Sequence, residues 1–90
     1  MRQLPFIQHQ ISDNTFIREF IQDTHSDEFE WHRDREDRIV ESLECTDWLI
    51  QLDNQLPQKI EGEVFIPKEV YHRVIKGTGN LKVKLQKIKS

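Results

Sequence analysis

The sequence predicts one all-β domain, a small sandwich or barrel, with one short helix allowed near the N-terminus. Two observations lead there: apolar and polar residues alternate with period two, and turn-forming residues interrupt the alternation every few positions. Leu81, Val83 and Leu85 alternate with Lys82, Lys84 and Gln86. Trp48, Ile50 and Leu52 alternate with Leu49, Gln51 and Asp53, and Phe29 and Trp31 with Glu28, Glu30 and His32. Three further segments, 38–44, 62–66 and 71–76, are rich in β-branched or aromatic residues, among them Val40, Val64, Phe65, Ile66, Tyr71, Val74 and Ile75. These make six expected strands.

Turns fall at 45–47, 53–57, 61–62 and 77–80, where Asp, Asn, Pro and Gly cluster. Gly77-Thr78-Gly79 reads as a hairpin turn, because no strand-to-helix context or lysine motif makes it a phosphate loop. Residues 13–23 are ambiguous. Asp13 or Asn14 is a ready helix cap, and Phe16, Ile17, Phe20 and Ile21 share one helical face, yet a short strand fits equally.

A chain of 90 residues supports one core. The division expected is a strand or helix extension over residues 1–27 and a barrel core over 28–88. With 36% apolar and 32% charged residues, that core is small enough to profit from a metal or a partner subunit. A homodimer is expected, because edge strands need cover and the segments 4–7 and 16–21 are more apolar than a tail requires.

Net charge is −3, with eleven acids against three arginines in residues 19–47 and eight bases against three acids in 58–90. An acidic chain with no aromatic-flanked basic patch is not expected to bind nucleic acid; lysines on the outer face of a last strand explain its basic end. No apolar run approaches the roughly 20 residues of a membrane span, and no signal-peptide pattern opens the sequence. Cys45 is the one cysteine, which fits a reducing cytoplasm and an inert thiol.

On a strand, His32 and Asp34 face the same way, which puts an imidazole beside a carboxylate. Should His72 arrive from a neighbouring strand, two histidines and one carboxylate form a set suited to Fe(II), and also to Mn, Ni, Co or Zn, with positions left for a ligand.

Gly62-Glu-Val-Phe-Ile-Pro67-Lys-Glu-Val-Tyr-His72 resembles the second motif of the cupins, in which a Gly-Asp turn leads a strand ending in Ile-Pro and a His follows. The Pro67-to-His72 interval matches. Glu69 stands where glycine is usual, so that turn must form without an easy positive-φ residue, and one residue fewer separates Gly62 from Pro67. Trp31-His32-Arg-Asp34 through Leu43-Glu44 resembles the first motif, His-x-His, then Glu, then Leu-Glu-Gly. His32 takes the place of the first His and Asp34 that of the second. Arg38 or Ile39 falls where Glu is expected, and Cys45 replaces the closing Gly. The resemblance covers about residues 31–76.

It implies a jelly-roll barrel with metal ligands His32, Asp34 and His72, and Asp37 as an alternative if a bulge shifts the register. Arg38 cannot ligate and instead suits an anionic substrate, or neutralises Asp34 in a metal-free pocket; Gln51 is a second candidate for lining a pocket. A metal-dependent dioxygenase, isomerase or lyase acting on a small polar or anionic molecule is the leading expectation. A non-catalytic small-ligand binder, with or without metal, is the alternative, and a structural or interaction protein the third. His9 and His25 lack ligand partners at useful spacing. Glu30 reads as a solvated position, Trp31 and Trp48 as core or interface anchors.

Overall fold

A computed structural model describes residues 6–21 and 29–88. His25, Glu28 and the N-terminal part of the apolar segment 4–7 lie outside the described residues.

Eight strands form among these residues: β1 (Phe6–Ser12), β2 (Thr15–Phe20), β3 (Asp37–Ser42), β4 (Leu49–Leu52), β5 (Gln58–Lys59), β6 (Glu63–Ile66), β7 (His72–Ile75) and β8 (Leu81–Ile88). They build two antiparallel sheets, ordered β1-β2-β8-β3-β6 and β5-β4-β7. After β3 the chain crosses to the smaller sheet for β4 and β5, returns for β6, crosses again for β7 and returns for β8. Gly77-Thr78-Gly79 is therefore a crossover between sheets, not the expected hairpin turn.

The period-two pattern is realised side by side. Leu81, Val83 and Leu85 of β8 are buried, while Lys84 between them is exposed. Ile50 and Leu52 of β4, Val64 and Ile66 of β6, and Val74 of β7 meet them from the other strands, with Trp48 completely enclosed. The Trp48 indole N–H donates to Gly79 O at 3.1 Å, so the buried ring leaves its one polar atom satisfied. Phe20, Phe29 and Trp48 form a ring cluster with centroids 5.9–6.3 Å apart, which fills one end of the sandwich.

Over residues 15–20 the strand wins over the helix. Pairing β2 between β1 and β8 turns Arg18 and Phe20 inward, opposite Val83 and Leu81, an arrangement a helical face would not give. The strand expected at Phe29–His32 does not form. Its one ladder contact is a bridge from His32 to His72, and Phe29 packs on the core while Trp31 lies exposed against Arg73. Five of the six expected strands form, as β3, β4, β6, β7 and β8; β2 settles the ambiguous segment, and β1 and β5 are the two that were not expected.

Candidate metal centre

The site lies at the end of the sandwich where β6 and β8 finish and β3 and β7 begin. There Arg38 of β3 pairs with Ile66 on one side and Lys87 on the other. His72 opens β7 opposite Leu52, on the inward face, and is 3% exposed. His32 is brought to it by a reciprocal backbone bridge: His32 N–H donates to His72 O at 3.0 Å, and His72 N–H to His32 O at 2.8 Å. The two rings stand 4.3 Å apart between centroids. Two positions on from His32, Asp34 is anchored by its carbonyl, which accepts the Glu69 N–H at 2.7 Å. One donor atom from each of His32, Asp34 and His72 then lies within 4.8 Å of the others. These three expected ligands converge.

Their hydrogen bonds define which nitrogens face the centre. His32 Nδ1 lies 2.8 Å from Glu30 O and His72 Nδ1 2.9 Å from Val70 O. A carbonyl oxygen only accepts, so both Nδ1 atoms carry the proton, and a neutral ring offers an Nε2 lone pair. Backbone anchoring of the far ring nitrogen is the usual support of a metal-binding histidine. His72 Nε2 meets Asp34 Oδ2 at 3.2 Å. A lone pair against a carboxylate oxygen is tolerable only with a cation between them or a second proton on the ring. The donor set, two imidazole nitrogens and one carboxylate oxygen, is of the type that divalent transition metals take.

Arg38 brings a fixed positive charge to the site. Its Nη1 is 3.4 Å from Asp34 Oδ2, and its Nε and Nη2 both donate to Glu36 Oε1, at 3.0 and 2.8 Å. Burial pushes the Asp34 carboxyl up, but with the rings protonated the His72 hydrogen bond and the charges of Arg38, His72 and His32 outweigh it and hold the group below the ordinary carboxylate range.

The other two candidates lie elsewhere. Asp37 accepts the Lys68 N–H at 2.7 Å and so caps the turn after β6; β3 pairs in regular register on both sides, so no bulge carries Asp37 into the ligand set. Gln51 pairs with Arg73 across β4 and β7, on the face opposite Leu52 and His72, and accepts the Arg73 Nε–H at 3.0 Å. It does not join the His–Asp cluster. Arg18 was missed in the sequence. It is 8% exposed and lines the same interior cavity as Arg38 and His72. The signal was present: as a strand, Phe16, Arg18 and Phe20 share the inward face.

The fold is that of the cupins. Among similar solved structures, the DMSP lyase DddQ from Ruegeria pomeroyi DSS-3 superposes with a TM-score of 0.76 at 12% identity, over 96% of this chain and 48% of that one. A cupin domain from Bordetella pertussis Tohama I gives 0.65 at 18% identity over 100% and 99%. The cobalt(II) form of HppE in complex with Tris buffer gives 0.68 at 14% identity over 98% and 56%. The chain spans only 38% and 48% of the two matching chains whose structures are described as DMSP lyases. At such identities the likeness establishes the fold and nothing finer. No family model and no curated protein matches the sequence. Among the described residues no helix is long and apolar enough to cross a membrane.

Proposed function

We propose that the chain is a metal-dependent cupin acting on a small polar or anionic molecule, with His32, Asp34 and His72 holding a divalent transition ion: Fe, Mn, Ni, Co or Zn. One observation supports it above the rest: two imidazoles, each pinned through Nδ1 to a backbone carbonyl, converge with one carboxylate at the end of the sandwich. Such an ion supplies Lewis acidity and, if iron, electron transfer. The solved structures named as DMSP lyase and as cobalt(II) HppE are enzymes of this fold, which favours dioxygenase, isomerase or lyase chemistry here.

The chain's own contribution is charge and position. Glu36 fixes the Arg38 guanidinium beside Asp34, where a planar fork suits a carboxylate or phosphate group. Two neutral imidazoles and one carboxylate give −1, and a divalent ion makes the set +1, so an anionic ligand completes the charge. A second reading, a small-ligand binder without metal, is favoured by the Arg38–Asp34 contact, which neutralises the carboxylate with no ion. We further infer a homodimer, because edge strand β1 leaves Ile7 and Ile11 50% and 60% exposed, and a cytoplasmic location, in keeping with one exposed thiol.

Metal content separates the readings. Protein supplemented with each ion and then desalted should hold close to one equivalent in the wild type and far less in His72→Ala. Equal content in both, or none in either, removes the metal and leaves the binder.

A further inference from the structure

Asp34, Glu36 and Arg38 stand at alternate positions on the approach to β3 and at its start. All are mostly buried, with side chains 14%, 27% and 13% exposed. Two acids thus contend for one guanidinium, and the contest is uneven. Glu36 Oε1 accepts from both Nε and Nη2 of Arg38, at 3.0 and 2.8 Å, whereas Nη1 stays 3.4 Å from Asp34 Oδ2. A charge-assisted hydrogen bond between such groups closes to about 2.7–2.9 Å.

The shape of the guanidinium explains the stand-off. In this planar, trigonal group the edge formed by Nε and Nη2 points directly away from Nη1. Glu36 therefore draws the group back along the line on which Nη1 would advance to Asp34. With both imidazoles neutral, the buried Asp34 Oδ2 accepts no hydrogen bond. A carboxylate oxygen enclosed without a donor is costly unless a cation meets it. His72 Nε2 approaches the same oxygen at 3.2 Å, where the donor atoms of His32, Asp34 and His72 converge. A guanidinium advanced onto Oδ2 would take the atom, and supply the charge, that an ion needs to find free.

We propose that Glu36 is a positioning residue: by holding Arg38 back from Asp34, it keeps the His–Asp centre open to a divalent cation and sets the affinity for it. The proposal rests on the metal reading and deepens it. Glu36 acts through Arg38, because the guanidinium lies between it and Asp34.

Zinc(II), and separately manganese(II), are titrated in competition with a chromophoric chelator into the full chain as wild type, Glu36→Ala, Arg38→Gln and the double variant. Glu36→Ala should bind at least about tenfold more weakly than the wild type, the scale of one charge-assisted hydrogen bond. Arg38→Gln and the double variant should agree within about threefold, since without a guanidinium to restrain Glu36 has no partner to act through. Glu36→Gln keeps an acceptor without its charge and should fall between wild type and Glu36→Ala; it decides the matter should Glu36→Ala fail to fold. Crystals of metal-free Glu36→Ala should show Nη1 closed onto Oδ2 at about 2.7–2.9 Å. A guanidinium that stays in place or turns to solvent there overturns the proposal. So does an equal loss of affinity in both Arg38 backgrounds, for Glu36 would then attract the ion directly or serve the fold at large. An ion held by Arg38→Gln and not by the wild type overturns it as well, since Glu36 then fails to keep the guanidinium off. No ion in any of these proteins removes the metal reading and the proposal together, whereas binding indifferent to Glu36 removes the proposal alone.

Discussion

Replacing Glu69 with glycine should make the protein more stable. Glu69 has φ 63°, the left-handed region, in the turn between β6 and β7. For a residue with a Cβ that conformation costs about 1–2 kcal/mol. Glycine removes the cost but gives the unfolded chain more freedom, which returns about 0.5–1 kcal/mol. The Arg33–Glu69 ion pair, 3.4 Å long with both side chains over half exposed, adds at most a few tenths of a kcal/mol in water. The balance is a gain of about 0.5–1 kcal/mol, or roughly 2–8 °C in Tm for a domain of this size. Thermal and urea unfolding of wild type, Glu69→Gly and Glu69→Gln measure it, since the glutamine variant loses the charge and keeps the strain. A glycine variant no more stable than the glutamine variant refutes the argument. The Glu69 N–H that holds Asp34 O survives the change, so metal content should not move.

Other outcomes are expected on the same grounds. Gly77→Ala should destabilise the fold by about 1–3 kcal/mol in urea, because a Cβ there would fall onto Asp47 Oδ1 and 2.7 Å from Trp48 N. Asp47 accepts both the Thr78 N–H and the Thr78 hydroxyl, at 2.7 and 2.9 Å, and these bonds hold its carboxyl below the usual range. Its stabilisation is thus present above the unfolded value near 3.9 and lost as pH falls through the lower folded value. The stability gap between wild type and Asp47→Asn should close over that acidic interval and stay flat near neutrality. Arg38→Gln should tighten divalent-metal binding by about tenfold in competition with a chromophoric chelator, since a guanidinium beside Asp34 opposes a second cation there.

The strands that bury one face were legible because burial writes its own alternation into the sequence: β4, β6, β7 and β8 follow it residue by residue. β5 is two exposed residues whose conformation comes from pairing with β4, and no local pattern announces that. β1 is an edge strand whose alternating isoleucines face outward, so its pattern resembles an unstructured apolar segment. The His32, Asp34 and His72 set was readable because the resemblance supplied the pairing; the strand parity invoked for His32 and Asp34 is not what aligns them, since only an isolated bridge forms at His32 and Asp34 is held by the Glu69 N–H. Arg18 was not, since a lone cation in a strand reads as solvent-facing until the opposite sheet shows that it is enclosed. Asp37 and Gln51 lie apart from the His–Asp cluster for reasons no local pattern shows, one as a backbone cap and the other by the register of β4 against β7.

The two peptide groups that join His32 to His72 each donate to the other, across forty positions of chain. Neither amide can be released to solvent without breaking the bridge that positions the other's ring. Both should therefore exchange their protons for deuterium at one common rate, set by a single opening event. Deuterium uptake at these two positions is a clock for the integrity of the centre, and it runs whether or not any ligand is bound.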